Sequence, residues 1–238
     1  MQSRRAVLGA ALGGMIGLAG VAWTSNETQA SGHHLGFTSV PTRRTAVALS
    51  FDDGPDPRFT AEVLDVLAAH GAQATFFVVG VGVAAHPALV RRIVAEGHEV
   101  ANHTLGHERL DRLARAEVRA QLEGGAAAIA ALGLGPAARP RLVRAPYGFE
   151  GPASRAELLA GSWEVARWRG CLEHHLTHDP PGTAGPRMAA AARPGDVLLA
   201  HDGGAPDRGP SLAALPGLLT ALAARHLLVT SIGGLQAA

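Results

Sequence analysis

The chain has no lysine; its 21 basic residues are all arginines, spread along 238 positions. Past the N-terminus they group no more densely than pairs such as Arg43-Arg44 and Arg91-Arg92. Aromatic residues make up 4% and the net charge is +1. A nucleic-acid binder needs a basic face and aromatic stacking platforms, and both are missing. Cysteine is almost absent too. The single Cys171 cannot make an intrachain disulfide or supply a cysteine metal site; it reads as a packing residue rather than a nucleophile. No His-Glu-x-x-His motif of the metalloprotease kind occurs. What the chain has in quantity is apolar side chains, 47% of the total, which excludes wholesale disorder. The length suits one domain with one sizeable core.

Ser3-Arg4-Arg5-Ala6-Val7-Leu8 opens a charged region, followed by an almost uncharged apolar run to Trp23. Thr28-Gln29-Ala30 puts small residues before Ser31, the pattern of an export signal cleaved after Ala30. The paired arginines resemble a twin-arginine address. Alternatively, residues 6–23 remain as an uncleaved anchor, being about the shortest run that spans a bilayer. Either way the sequence points to an exported protein, secreted or periplasmic, that meets the membrane only if the anchor stays. Residues 1–30 are therefore read as signal, 31–44 as a flexible leader and 45–238 as the working domain.

Through that domain, apolar runs of strand length alternate with helical periodicity. Strands are predicted at 46–49, 74–79, 98–101, 141–144, 163–165, 197–200 and 227–230. Helices are predicted over 59–70, 87–96, 117–132, 154–160, 187–192 and 212–225, with Gly71 and Gly97 as stops. Gly124-Gly125 weakens the third of these. Residues 170–186, rich in His, Pro and Gly, read as an irregular loop. About seven alternations imply a mostly parallel sheet, open or closed into a barrel. In both cases the ligand site belongs at the C-terminal ends of the strands.

Chemistry-bearing residues gather at those ends. Ser50-Phe51-Asp52-Asp53-Gly54-Pro55 closes the first strand, and alternation turns the two carboxylates apart, so that one can serve a metal and the other a base. Standing alone, the stretch is equally an acidic turn. His103-Thr104-Leu105-Gly106-His107 follows the third strand; two imidazoles four residues apart meet on one side of a helical turn and can grip one ion. With Asp53 they make a half-shell suited to zinc or another borderline divalent ion, with positions left open. Arg144-Ala145-Pro146-Tyr147-Gly148 follows the fourth strand. Its guanidinium can hold Asp52 through a bidentate pair, and its turn can offer a backbone N–H to an oxyanion. Leu199-Ala200-His201-Asp202 brings a histidine placed to protonate a leaving group, with Asp202 either its partner or a turn residue. His174-His175-Leu176-Thr177-His178 has metal-binding spacing but no acidic pattern or strand end beside it, and reads as solvent-facing. Phe76-Phe77 reads as core.

In this order the motifs resemble those of the NodB-homology polysaccharide deacetylases, carbohydrate esterase family 4, over roughly residues 45–233. The resemblance implies a distorted (β/α) barrel of about seven parallel strands. It implies a metal-dependent hydrolase removing N-acetyl groups from an extracytoplasmic glycan such as peptidoglycan or chitooligosaccharide. By the same resemblance Asp53, His103 and His107 bind the metal, with zinc first and cobalt or nickel as alternatives. Asp52 is the general base, oriented by Arg144, and the backbone N–H of Tyr147 binds the oxyanion. Leu199 lines the acetyl pocket and His201 is the general acid. An ionised base and a protonated acid together predict a bell-shaped rate profile.

One segment departs from the pattern. The family usually has an aspartate-rich segment, ending in Asp-Trp, that tunes the catalytic histidine and walls the pocket. Trp163-Glu164-Val165-Ala166-Arg167-Trp168 stands there instead. Glu164 is the candidate tuning residue and Trp168 the wall; in a shifted register Trp163 is the family tryptophan. Two other readings remain: an O-acetyl esterase acting on xylan or another polysaccharide, and a glycan-binding module that has lost catalysis. The partner is an N- or O-acetylated glycan in each case, and no protein partner is inferred.

Overall fold

A computed structural model describes residues 35–205 and 207–237. The signal, its cleavage site at Ala30 and residues 31–34 of the leader lie outside the described residues. Among those described, no helix is long and apolar enough to cross a membrane. Part of the leader packs against the domain. Val40 is buried, Phe37 packs on the core, and Phe37 N–H donates to the Val165 carbonyl at 3.1 Å. Apolar side chains at these positions give the leader a reason to dock.

The strands are β1 (Ala46–Asp52), β2 (Thr75–Val78), β3 (Glu99–Asn102), β4 (Ala138–Val143), β5 (Glu164–Val165), β6 (Gly170–Cys171), β7 (Val197–His201) and β8 (Leu228–Thr230). Between them run helices α1 (Thr60–Ala69), α2 (Gly80–Ala85), α3 (Pro87–Ala95), α4 (Arg115–Ala130), α5 (Pro152–Ala160), α6 (Leu172–His178), α7 (Ala184–Ala191) and α8 (Gly209–Ala224); α9 (Ile232–Gln236) follows β8. All strand pairings are parallel. The main path is β5-β4-β3-β2-β1-β7-β6, with β8 set against β1. This is a curled, open sheet, the incomplete (β/α) barrel that the resemblance implies. β1 is its centre: β8 pairs with Ala46–Ala48 and β2 with Ser50–Asp52.

Alternation along β1 explains how the core delivers a polar site. Val47, Leu49 and Phe51 join the large cluster that includes helix side chains such as Leu64, Leu218 and Leu222. Ala46 and Ala48 belong to the second cluster, with Phe77, Ala101 and Val197. Side chains two apart share a face, so Ser50 and Asp52 continue the row of small residues Ala46 and Ala48. The inner row thus changes from alanine to polar groups as it approaches the C-terminal end of the sheet.

The segment expected to be an irregular loop, 170–186, instead holds β6, α6 and the start of α7. β6 is two residues long, too short to register as an apolar run, and exists because β7 offers it a pairing edge. Helix α2 is a short, glycine-containing element for the same reason: its bonds to the His103–His107 loop are tertiary, with Gly80 N–H donating to the Thr104 carbonyl at 2.9 Å.

Candidate active site

Asp52 and Arg144 make the most enclosed ion pair of the site. Arg144 Nη1 donates to Asp52 Oδ1 at 2.6 Å and to Ser50 Oγ at 2.9 Å. Its Nη2 donates to the Arg167 carbonyl at 3.2 Å, and its guanidinium lies 4.0 Å from the centre of the Phe77 ring. The arginine is buried completely enough that desolvation lowers its pKa, opposed by the Asp52 charge. A planar guanidinium with these fixed partners has one orientation, and Asp52 takes its own from it.

Asp53 Oδ1, His103 Nε2 and His107 Nε2 come together beside this pair. Asp53 Oδ1 lies 3.4 Å from the first nitrogen and 2.9 Å from the second. His103 Nδ1 lies 2.9 Å from the Arg144 carbonyl oxygen. A carbonyl only accepts, so Nδ1 carries the proton and Nε2 keeps its lone pair for a metal. Burial raises the Asp53 pKa, but the two imidazoles, when protonated, outweigh it and hold the carboxyl far below the usual range. Two imidazole nitrogens and one ionised carboxylate, already within 4.8 Å of one another, fit a divalent ion with an open coordination side.

The histidines do not reach this arrangement by sharing a helical turn, as their spacing suggests. Residues 103–107 form a non-helical loop in which Thr104 (φ 70°) and His107 (φ 61°) are left-handed. Helix α4 imposes that shape. Leu105 N–H donates to the Gln121 carbonyl at 2.9 Å, and Asn102 Nδ2 donates to the Leu122 carbonyl at 2.9 Å. Gly125 permits the approach: a methyl group there would overlap Asn102 Oδ1 and come within 2.8 Å of the Thr104 backbone. The glycine pair expected to weaken α4 is therefore what lets α4 shape the loop. Gly125→Ala should cost about 1–3 kcal/mol in urea unfolding through overpacking and weaken metal binding. Unchanged stability would mean that the loop gives way easily.

His201 ends β7 opposite Asp52 in the sheet register. The carboxylate beside it is Glu173 on α6, not Glu164. Glu173 Oε2 lies 3.0 Å from His201 Nδ1, a close charge pairing off the line of a good hydrogen bond. Glu173 Oε1 accepts from Ser211 Oγ at 2.8 Å and from the His201 N–H at 3.1 Å. Burial lowers the His201 pKa, but Glu173, aided by Asp52 and Asp53, carries it above the ordinary histidine value. Glu164 is engaged elsewhere, by Arg139 and Gln236; an arginine from β4 has claimed it. Asp202 does not pair with His201 either. It is fully buried, accepts from Thr60 Oγ1 at 2.6 Å, and desolvation pushes its pKa up to about 7.

Arg208 is another residue that sequence reasoning missed. It is buried, donates from Nη2 to Asp53 Oδ2 at 2.9 Å, and from Nε to the Gly203 carbonyl at 2.7 Å. With Oδ2 held this way, Oδ1 faces the two histidines.

Asp52, Asp53, His103, His107, Glu173, His201 and Arg208 border one groove of about 1270 Å³. Tyr147 (φ 59°), Gly148, Trp168 and Leu199 line it, and Trp168 packs against Gly148 so closely that a Cβ there would sit 2.8 Å from the indole. Trp163 instead packs under Arg141. His174, Thr177 and His178 also border the groove; they lie on helix α6 rather than in the expected loop, with Thr177 and His178 exposed as expected and His175 buried.

The profile described as polysaccharide deacetylase matches residues 39–160. The chain is 39% identical over 209 residues to a chitooligosaccharide deacetylase of Sinorhizobium fredii, covering 79% of this chain and 90% of the relative. It is 32% identical over 190 residues to a peptidoglycan-N-acetylglucosamine deacetylase of Bacillus cereus, covering 77% and 84%. The crystal structure of the Bc1960 peptidoglycan N-acetylglucosamine deacetylase superposes with a TM-score of 0.74 at 28% identity, covering 83% of this chain and 90% of that one.

Proposed function

Because the chain belongs to the polysaccharide deacetylase family, the NodB-homology group of carbohydrate esterase family 4, we propose that this metal-dependent hydrolase removes N-acetyl groups from the amino sugars of an extracytoplasmic glycan, peptidoglycan or chitooligosaccharide. The observation that carries the reading is the gathering of three metal-donor atoms beside a carboxylate locked by a buried arginine. Asp53, His103 and His107 hold the ion, which is zinc by the preference of this donor set, with cobalt or nickel as substitutes. When bound, such an ion supplies Lewis-acid chemistry, polarising a carbonyl and acidifying water.

The chain's own groups do the rest. Asp52, held through Oδ1 by Arg144, takes the proton of the attacking water on Oδ2. The Tyr147 N–H donates to the developing oxyanion, Leu199 packs against the acetyl methyl group, and Trp168 walls the sugar. His201 gives a proton to the departing nitrogen, and Glu173 orients the ring and stabilises its charge. An amine leaving group needs that proton more than an alkoxide does, so the Glu173–His201 pairing favours amide over ester as substrate. The signal pattern of residues 1–30 supports export to the compartment where such glycans lie.

Zinc-loaded protein offered chitooligosaccharides, peptidoglycan fragments and acetylated xylan in parallel should release acetate fastest from an N-acetylated substrate. Faster release from xylan would transfer the reading to an O-acetyl esterase. Release from none of them would defeat hydrolysis.

Arg208 belongs to this reading as a positioning residue for Asp53. Outer partners that fix a ligand carboxylate sustain metal affinity. Arg208→Gln should therefore raise the zinc Kd about tenfold in chelator competition. An unchanged Kd would leave Arg208 only the tethering of its own loop.

A further inference from the structure

Cys171 is a side chain of the groove wall that the proposed chemistry leaves unused. Cys171 closes β6, pairs in register with Leu199 of β7, and borders the groove beside His201. Its Sγ lies 3.3 Å from Glu173 Oε2. That same oxygen lies 3.0 Å from His201 Nδ1. One cysteine cannot build a site of cysteines, but it can join a mixed one. Sulfur, carboxylate oxygen and imidazole nitrogen here stand within 4.8 Å of one another.

Their spacing fits a small tetrahedral ion. With zinc–sulfur bonds of about 2.3 Å and zinc–nitrogen or zinc–oxygen bonds of about 2.0 Å, the tetrahedral edges are roughly 3.3–3.6 Å long. The two separations from Glu173 Oε2 fall at or slightly under that length, so small shifts complete the shell. Glu173 is also anchored for the task. Ser211 Oγ and the His201 N–H occupy Oε1, leaving Oε2 toward the sulfur and the ring. His201 Nδ1 is buried and has no well-aligned hydrogen-bond partner, a vacancy that a cation fills. A thiolate and a carboxylate together neutralise a doubly charged ion, and a set containing sulfur selects soft or borderline ions over magnesium or calcium.

We propose that Cys171, Glu173 and His201 form a second, inhibitory site for a thiophilic divalent cation such as zinc or cadmium, distinct from the Asp53–His103–His107 triad. Binding releases the thiol proton and the Nδ1 proton to solvent, makes bonds from sulfur, nitrogen and oxygen to the ion, and involves no oxidation or reduction. Inhibition, as opposed to binding, rests on the reading of His201 as the acid. With a cation on Nδ1 the ring no longer becomes an imidazolium; its remaining Nε2–H is that of a neutral imidazole, far too weak an acid to protonate the leaving nitrogen.

Cadmium titration of the zinc-loaded full chain tests this. Because Cys171 is the only cysteine, any thiolate-to-cadmium absorption band reports it. The wild type should develop that band saturably at one equivalent while acetate release falls about tenfold. In Cys171→Ser and Cys171→Ala the band should be absent, and excess cadmium should leave each variant's release at its own cadmium-free level. Glu173→Gln should retain the thiol but need about tenfold more cadmium to develop the band. Inhibition that persists in the cysteine variants, or a band indifferent to Glu173→Gln, overturns the site. A saturable, Glu173-dependent band in a protein that never releases acetate upholds the site and defeats the hydrolase reading instead.

Discussion

Asp52→Asn should lower acetate release by roughly 10³-fold while leaving zinc affinity within a few-fold of wild type. The substitution keeps the size of the side chain and removes its charge. Asp52 Oδ1 is bound to Arg144, and Oδ2 stands 3.8 Å from His103 Nε2 at the floor of the groove. An amide there can still accept from Arg144 but cannot take a proton from water. A structural cost accompanies the kinetic one, because a fully buried guanidinium loses its counter-charge. Removing one partner of a buried ion pair costs about 3–5 kcal/mol; an amide that keeps the hydrogen bond should cost less. Kinetics and zinc titration on the same folded sample separate these effects. A variant that keeps a tenth or more of the wild-type rate would show that Asp52 is not the base.

The parts of this centre that were legible in the sequence lie at the ends of strong apolar runs. The β1 run ending in Asp52-Asp53, and the β7 run ending in His201, each combine strand-forming side chains with an abrupt polar stop. Local composition marks both the element and its functional end. The Arg144–Asp52 contact was also anticipated, since both residues follow strands of one parallel sheet and such ends converge.

What escaped was set by tertiary contacts. The spacing of His103 and His107 pointed to a helical turn, but Asn102, Gln121 and Gly125 hold the loop in left-handed conformations. Glu173 stands 28 residues before His201, inside a histidine-rich stretch that resembled a loop, and only the pairing of β6 with β7 brings it alongside. Glu164 stands in the segment where a tuning carboxylate is expected, but local register carries no information about Arg139, which holds it. Arg208 lies 155 residues from Asp53 and belongs to no motif. A general physical signal was still available for Glu173: a protonated acid histidine needs a nearby anion, and between Glu164 and β7 the chain holds only three carboxylates, Glu173, Asp179 and Asp196.

That anion has the second large effect. Glu173→Gln should reduce kcat at neutral pH by a factor on the order of 10²–10³ and move the alkaline limb of the kcat profile to lower pH. The sign follows from the balance at His201. Burial lowers its pKa, and Glu173 is the leading opposing influence, so the net value lies above that of an ordinary histidine. A raised pKa keeps the ring protonated to higher pH, and the protonated ring is the form that serves the leaving nitrogen. Replacing the carboxylate by an amide removes that support, leaving burial to act against the charge, and the ring loses its proton earlier as pH rises. Glu173→Asp retains the charge but shortens the reach to Nδ1, so its limb should fall between the two. A merely structural role would lower kcat equally across the pH range and leave the limb in place. Full profiles of kcat against pH for wild type, Glu173→Gln and Glu173→Asp distinguish these outcomes, and an unmoved limb in the glutamine variant would end the claim that Glu173 sets the proton affinity of His201.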